Sequence, residues 1–168
     1  MNEIILSKTC LYYDYLPKIS KVDNNLLKKF ILFNKKLNSN NRFGDIKMGI
    51  HQQITWVMNY ISDKFLVLHN KTLIPLNIIA QINKKGKKII KRNHVNFKDI
   101  KKCPYYTYIY CVNGKTKLTF YFNDNVDKNK KWIIPVEKNK YVMWNSDLNY
   151  SIDNKENNDL LIVNCQFV

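Results

Sequence analysis

The chain has 168 residues, 45% of them hydrophobic and 13% aromatic, with 28 Lys and Arg against 13 Asp and Glu for a formal charge of +15. That is enough apolar material for one compact domain with a core, and it leaves little room for a second. Only Arg42 and Arg92 among the basic residues are arginine and Asn is about as abundant as Lys, which excludes a sequence-specific nucleic-acid reader built on bidentate Arg contacts and leaves nonspecific attraction to polyanions.

The opening Met-Asn-Glu and its short apolar patch lack the charged start and long hydrophobic core of a signal peptide. No run approaches the ~18 apolar residues of a membrane helix. A soluble protein is expected. Cys10, Cys103, Cys111 and Cys165 are scattered, with no Cys-x-x-Cys pair and no histidine at metal-ligand spacing, so they read as packing residues of a protein from a reducing compartment.

Leu26, Leu27, Phe30, Ile31 and Leu37 recur at three- and four-residue spacing, predicting a helix from Val22 to Leu37 capped by Asp23 or Ser20. Asn38 to Gly49 reads as a loop. Ile54, Val57, Met58, Ile61, Phe65 and Leu68 make one apolar stripe, predicting a second helix from His51 to His69 whose flanking histidines lie at the surface. From Leu73 the apolar residues come in short, β-branched and aromatic runs. Strands are expected at Leu73–Asn83, Tyr105–Val112, Lys115–Phe122, Trp132–Val136, Tyr141–Trp144, around Tyr150–Ile152, and Leu160–Phe167, with a solvated loop over Asn123–Lys131. Asn113-Gly114 between two runs of matching length predicts a hairpin. Residues 1–72 are thus mainly helical and 73–168 a β-helix core, within one domain over 1–168. The fold class is α+β, an antiparallel sandwich or barrel such as a jelly roll with the N-terminal helices packed on one sheet, which the family resemblance below implies is a double-stranded β-helix (cupin-like).

Several segments together resemble a family. They are Ala80-Gln81-Ile82-Asn83-Lys84-Lys85-Gly86, then Asn93-His94-Val95-Asn96, then Tyr106-Thr107-Tyr108-Ile109-Tyr110-Cys111-Val112, and Asp147-Leu148-Asn149-Tyr150-Ser151-Ile152-Asp153-Asn154 before a last apolar strand. The C-terminal half resembles the 2-oxoglutarate/Fe(II)-dependent oxygenases of phages and marine-type bacteria, which are double-stranded β-helices. Such an iron site takes two imidazoles and one carboxylate on one face of the metal. The resemblance places His94 at the first imidazole and Asn96 at the second ligand. Asn149, or Tyr150 beside it, falls at the distal histidine, and Asp159-Leu160-Leu161 stands where an arginine would grip the cosubstrate. Tyr108 and Tyr110 fall where a hydroxyl could hold a ligand carboxylate, although a tyrosine-rich strand also suits a core.

No histidine follows His94 and no arginine follows Arg92, so the family's triad is incomplete in this chain. The expectation is a vestigial metal position at His94 with no bound cofactor. The protein is then a non-catalytic β-helix module with a protein partner or a homo-oligomer, in the setting of a phage particle. The alternative is an active dioxygenase with Fe(II) and 2-oxoglutarate, its other ligands drawn from Asp99 or Asp153. A weaker alternative is a basic module held to nucleic acid through Lys84 to Lys102. No Cys-His or Ser-His-Asp constellation and no phosphate-binding glycine loop stands out.

Overall fold

The computed structural model describes residues 11–17, 22–37, 45–86, 88–92, 94, 103–121, 131–155 and 159–168. In chain order the elements are β1 (Leu11–Tyr15), α1 (Asn24–Leu37), β2 (Asp45–Lys47), α2 (Gln52–His69), β3 (Pro75–Asn83), β4 (Lys88–Arg92), β5 (Tyr106–Asn113), β6 (Lys115–Tyr121), β7 (Lys131–Glu137), β8 (Lys140–Asn145), β9 (Asn149–Asp153) and β10 (Leu160–Phe167).

Both helices form where their apolar stripes lie. In α1, Leu27 and Ile31 are fully buried one turn apart, and the Asp23 carboxylate accepts the backbone N–H groups of Asn25 at 2.8 Å and Leu26 at 3.1 Å, satisfying donors that the first turn cannot pair internally. Residues Ile54, Val57, Ile61 and Phe65 bury one face of α2. His51 caps its start by accepting Gln53 N–H at 3.2 Å, and Asn70 ends it in the left-handed region at φ 52°, donating its N–H to Leu66 C=O at 2.8 Å.

The strands form two antiparallel sheets, one of six in the order β1-β8-β5-β10-β3-β2 and one of four in the order β4-β9-β6-β7. β3 pairs with β10, β4 with β9, β5 with β8 and β6 with β7. The chain from β3 to β10 is therefore one long antiparallel ribbon, folded back between β6 and β7 and coiled into two facing sheets. That is a double-stranded β-helix, the jelly roll of cupins.

Two cores result. The helices pack on the outer face of the six-stranded sheet, burying Leu27, Ile31, Ile54, Val57, Ile61 and Phe65 against Tyr108, Tyr110, Val163, Cys165 and Phe167. Between the sheets lies a second core containing Ile109, Cys111, Leu118, Phe120, Trp144, Tyr150, Leu160 and Ile162.

Three elements differ from the reading of the sequence. The nominally helical N-terminal part supplies β1 and β2, which extend the large sheet by pairing with β8 and β3. Strand β4 pairs with β9 although Lys88-Ile89-Ile90-Lys91-Arg92 lacks period-two alternation. Asn113-Gly114 does make a tight turn, with Gly114 at φ 93°, but β5 and β6 enter different sheets, so the turn is a corner and not a hairpin. The only described non-glycine residues at positive φ are Asn70 and Asn139, so Asn113 lacks the positive φ that a type I′ hairpin turn requires.

A Cβ on Gly114 would stand 3.1 Å from Leu160 Cα and 3.3 Å from Asp159 O, on a backbone conformation unfavourable to any side chain. Gly114→Ala should lower stability by about 1–3 kcal/mol, read as a fall in the midpoint of thermal or urea unfolding. An unchanged midpoint would show that the corner relaxes freely.

Candidate functional site

His94 lies two residues past the end of β4, and its backbone N–H donates to Ser146 C=O at 3.0 Å, anchoring it just beyond the end of β8. Its imidazole meets two strands. Nε2 lies 2.9 Å from the Tyr150 hydroxyl on β9, Nδ1 lies 2.7 Å from Gln166 Nε2 on β10, and the ring stacks on that of Tyr150 at 5.5 Å and 26°. With the Gln166 amide in this orientation Nδ1 accepts, and the matching tautomer places hydrogen on Nε2 to donate to the Tyr150 oxygen.

Alternation explains who is present. Gln166 shares the parity of Leu160 and Ile162, Tyr150 that of Ile152, and Thr107 that of Ile109 and Cys111, so all point between the sheets. The Thr107 and Ser146 hydroxyls bond each other at 2.7 Å. Behind this polar end the lumen is filled by Trp144, Phe120 and Tyr150, each fully buried and in edge-to-face contact, with Trp144 4.9 Å from Tyr150 and 5.1 Å from Phe120. The Trp144 indole N–H has no hydrogen-bond partner among the described residues.

The other residues singled out in the sequence do not gather at His94. Asn149 neighbours Tyr150 in the same strand and therefore points to the opposite, outer face of the small sheet; it pairs in register with Tyr121. Tyr108 and Tyr110 are fully buried, but in the core under the helices, across the large sheet from His94. Tyr110 donates to Asn24 Oδ1 at 2.9 Å and to Asn139 Oδ1 at 3.2 Å. Tyr108 stacks on Phe167 at 5.4 Å, and the Cys165 thiol beside it is its polar neighbour. Asp153 lies 3.5 Å from the Lys155 amine. Asp159 is exposed and Leu160 is buried in the inter-sheet core, where the resemblance expects an arginine. Asn96 and Asp99 lie outside the described residues.

Gln166, Thr107 and Ser146 were not singled out in the sequence. Counting by twos from Ile162 through Asn164 puts Gln166 on the lumen side, and that parity was the available signal. Among the described residues no group of three His, Cys, Asp or Glu is placed to hold a metal ion. With both ring nitrogens of His94 engaged by protein groups, the described residues do not fit a facial iron triad. No helix of the described chain is long and apolar enough to cross a membrane.

No family model matches the chain, and no curated protein matches it. Solved structures do match. Oxalate decarboxylase from Lactobacillus farciminis in complex with formate is 11% identical with a TM-score of 0.44, over 54% of this chain and 23% of that one. Oxalate decarboxylase from Bacillus subtilis is 11% identical with a TM-score of 0.43, over 53% and 20%. The cupin domain of Drosophila melanogaster CENP-C is 11% identical with a TM-score of 0.42, over 54% and 59%. The chain thus spans less than a quarter of each decarboxylase and less than two thirds of the CENP-C domain. All three likenesses concern the fold and none the chemistry.

Burial raises the thiols of Cys111 and Cys165 from 9.0 to about 12, and raises the Tyr110 and Tyr141 hydroxyls from 10.0 to about 12. Each group is held protonated in the folded state more firmly than in the unfolded one. The stability they contribute is intact below pH 9 and declines as pH rises from about 9 toward 12. Brief alkylation at pH 8 followed by peptide mapping should label half-buried Cys103 and spare Cys111 and Cys165, because the thiolate is the nucleophile. Labelling of Cys165 as fast as Cys103 would contradict the packing.

Proposed function

We propose that this chain is a non-catalytic double-stranded β-helix module, derived from the 2-oxoglutarate/Fe(II) oxygenases, that serves as a protein-binding or structural component, with a phage particle as the setting to examine first. The observation that supports this most is the double engagement of His94, with Tyr150 on Nε2 and Gln166 on Nδ1. A metal ligand needs a lone pair facing open space. Here the imidazole joins the last two strands of the ribbon instead.

The aromatic filling agrees with that reading. Trp144, Phe120 and Tyr150 occupy the space between the sheets as core, packed edge to face, whereas small-molecule sites are concave and open to their ligand. Exposed apolar residues lie on the outside, Tyr13, Trp132 and Ile133 among them, where contact with another macromolecule would cover them.

Anaerobic calorimetry of the purified chain with Fe(II) or Mn(II), with and without 2-oxoglutarate, should show no stoichiometric binding. Added iron and 2-oxoglutarate should give no succinate above buffer, and His94→Ala should not change either result. Stoichiometric metal binding abolished by His94→Ala, with iron-dependent succinate formation, would overturn the reading in favour of a working dioxygenase.

A further inference from the structure

Asn113-Gly114 is the only Asn-Gly step in the chain, and it carries a chemistry of its own. Glycine has no side chain to shield its backbone nitrogen, so that nitrogen can reach the carboxamide carbon of the asparagine before it. The product is a five-membered imide. Gly114 N bonds to Asn113 Cγ, the Cγ–Nδ2 bond breaks, and Nδ2 leaves as ammonia with the proton of the Gly114 amide. Water then opens the ring. Cleavage at Cγ gives aspartate, and cleavage at the main-chain carbonyl gives isoaspartate, in which the chain runs through Cβ.

The folded corner holds the reacting atoms apart. Ring closure requires Asn113 Cβ and Gly114 N to eclipse about the Cα–C bond. Asn113 is the last residue of β5 and pairs with Leu161 across the ladder, and extended backbone keeps those two atoms far from eclipsed. The carboxamide is held from the other side, with Nδ2 donating to Asp159 C=O at 3.1 Å. The Cys111 thiol lies 3.6 Å from the carbonyl oxygens of both Asn113 and Gly114, which ties the turn back to its own strand. Space is closed too, since a carbon added to Gly114 would stand 3.1 Å from Leu160 Cα.

We propose that Asn113 is a deamidation site kept latent by the β5–β6 corner and converted when that corner parts from the start of β10. Asn113 and Gly114 are half-buried and Lys115 after them is exposed, so water meets the corner as soon as it opens. Local opening of this kind costs less than unfolding the whole chain. Conversion runs one way. Aspartate at this position sets a carboxylate against the Asp159 carbonyl where an amide had donated, and neither partner then has a hydrogen to give. Isoaspartate lengthens the main chain by one carbon beside Asp159 and Leu160, whose backbone leaves no room for one on Gly114. A converted chain therefore cannot rebuild the corner, and the modification accumulates as a record of opening.

The test incubates the full chain in one mildly alkaline buffer, folded and in unfolding urea, and follows the peptide holding Asn113 by mass spectrometry, with isoaspartate separated from aspartate. Conversion should be about tenfold or more slower in the folded chain. Leu160→Ala removes a side chain packed at Gly114 and should speed conversion without urea while leaving the rate in urea unchanged. Should Leu160→Ala not fold, urea below the unfolding midpoint supplies the same comparison: the rate should rise before the near-ultraviolet circular dichroism of buried Trp144 is lost. Asn113→Asp should fold with a lower unfolding midpoint than the unchanged chain. Equal rates in the folded and unfolded chain would overturn the proposal, and so would the absence of conversion in urea. Conversion that rises only with loss of the Trp144 signal would place control in the whole fold and not in the corner. An Asn113→Asp midpoint at or above that of the unchanged chain would show that the corner tolerates the product.

Discussion

Strand β10 is buried on both faces, and each of the two cores takes one of them. Leu161, Val163, Cys165 and Phe167 pack under the helices, while Leu160 and Ile162 pack against the small sheet. The same strand is hydrogen-bonded on both edges, to β3 and to β5. A slip of one residue would send Gln166 under the helices and Phe167 into the polar end of the lumen, so the register is strongly determined. Helix docking, ribbon closure and the position of His94 all depend on that register.

The polar end of the lumen follows from Gln166, an amide on the lumen-facing parity of this strand. Gln166 is 9% exposed and needs a partner there, because a buried amide without one costs about 1–3 kcal/mol. His94 supplies it, and Tyr150 supplies the second contact of His94. The result ties His94 to β9 and β10 at once. An imidazole used in this way is a strut, with the buried trio Trp144, Phe120 and Tyr150 packed behind it.

The helices, the Asp23 cap as one of two candidates, and seven of the strands were legible in the sequence because apolar spacing and capping chemistry are local, whereas the capping role of His51 was not. Strand β4 was not, since Lys88–Arg92 gains its conformation from pairing with β9 across the fold. The Asn113-Gly114 turn was legible as a turn and illegible as a corner. Whether two matched strands pair with each other or with distant ones depends on which faces find a core, and here β5 had β8 and β10 to pair with. Site residues followed the same division. Parity within β9 separates Tyr150 from Asn149, but an alignment ambiguous by one residue could not choose between them. Tyr108 and Tyr110 needed knowledge of which face of β5 meets the helices, and only the position of the helical layer decides that.

Among the described residues, charge contributes little to holding this fold together. Lys115 to Glu137 at 3.9 Å and Lys155 to Asp153 at 3.5 Å are ion pairs between largely exposed groups, each worth at most about 1 kcal/mol. The two apolar cores and the backbone ladders supply the stability. The surplus of lysine is then a property of the surface: it sets the sign of the potential that an approaching molecule meets and leaves the packing unaffected. Lys140 is the exception, because it is 6% exposed and its amine rests on two tyrosine rings. The aromatic faces stabilise its charge where water has little access, so here a lysine belongs to the packing of the β1 edge.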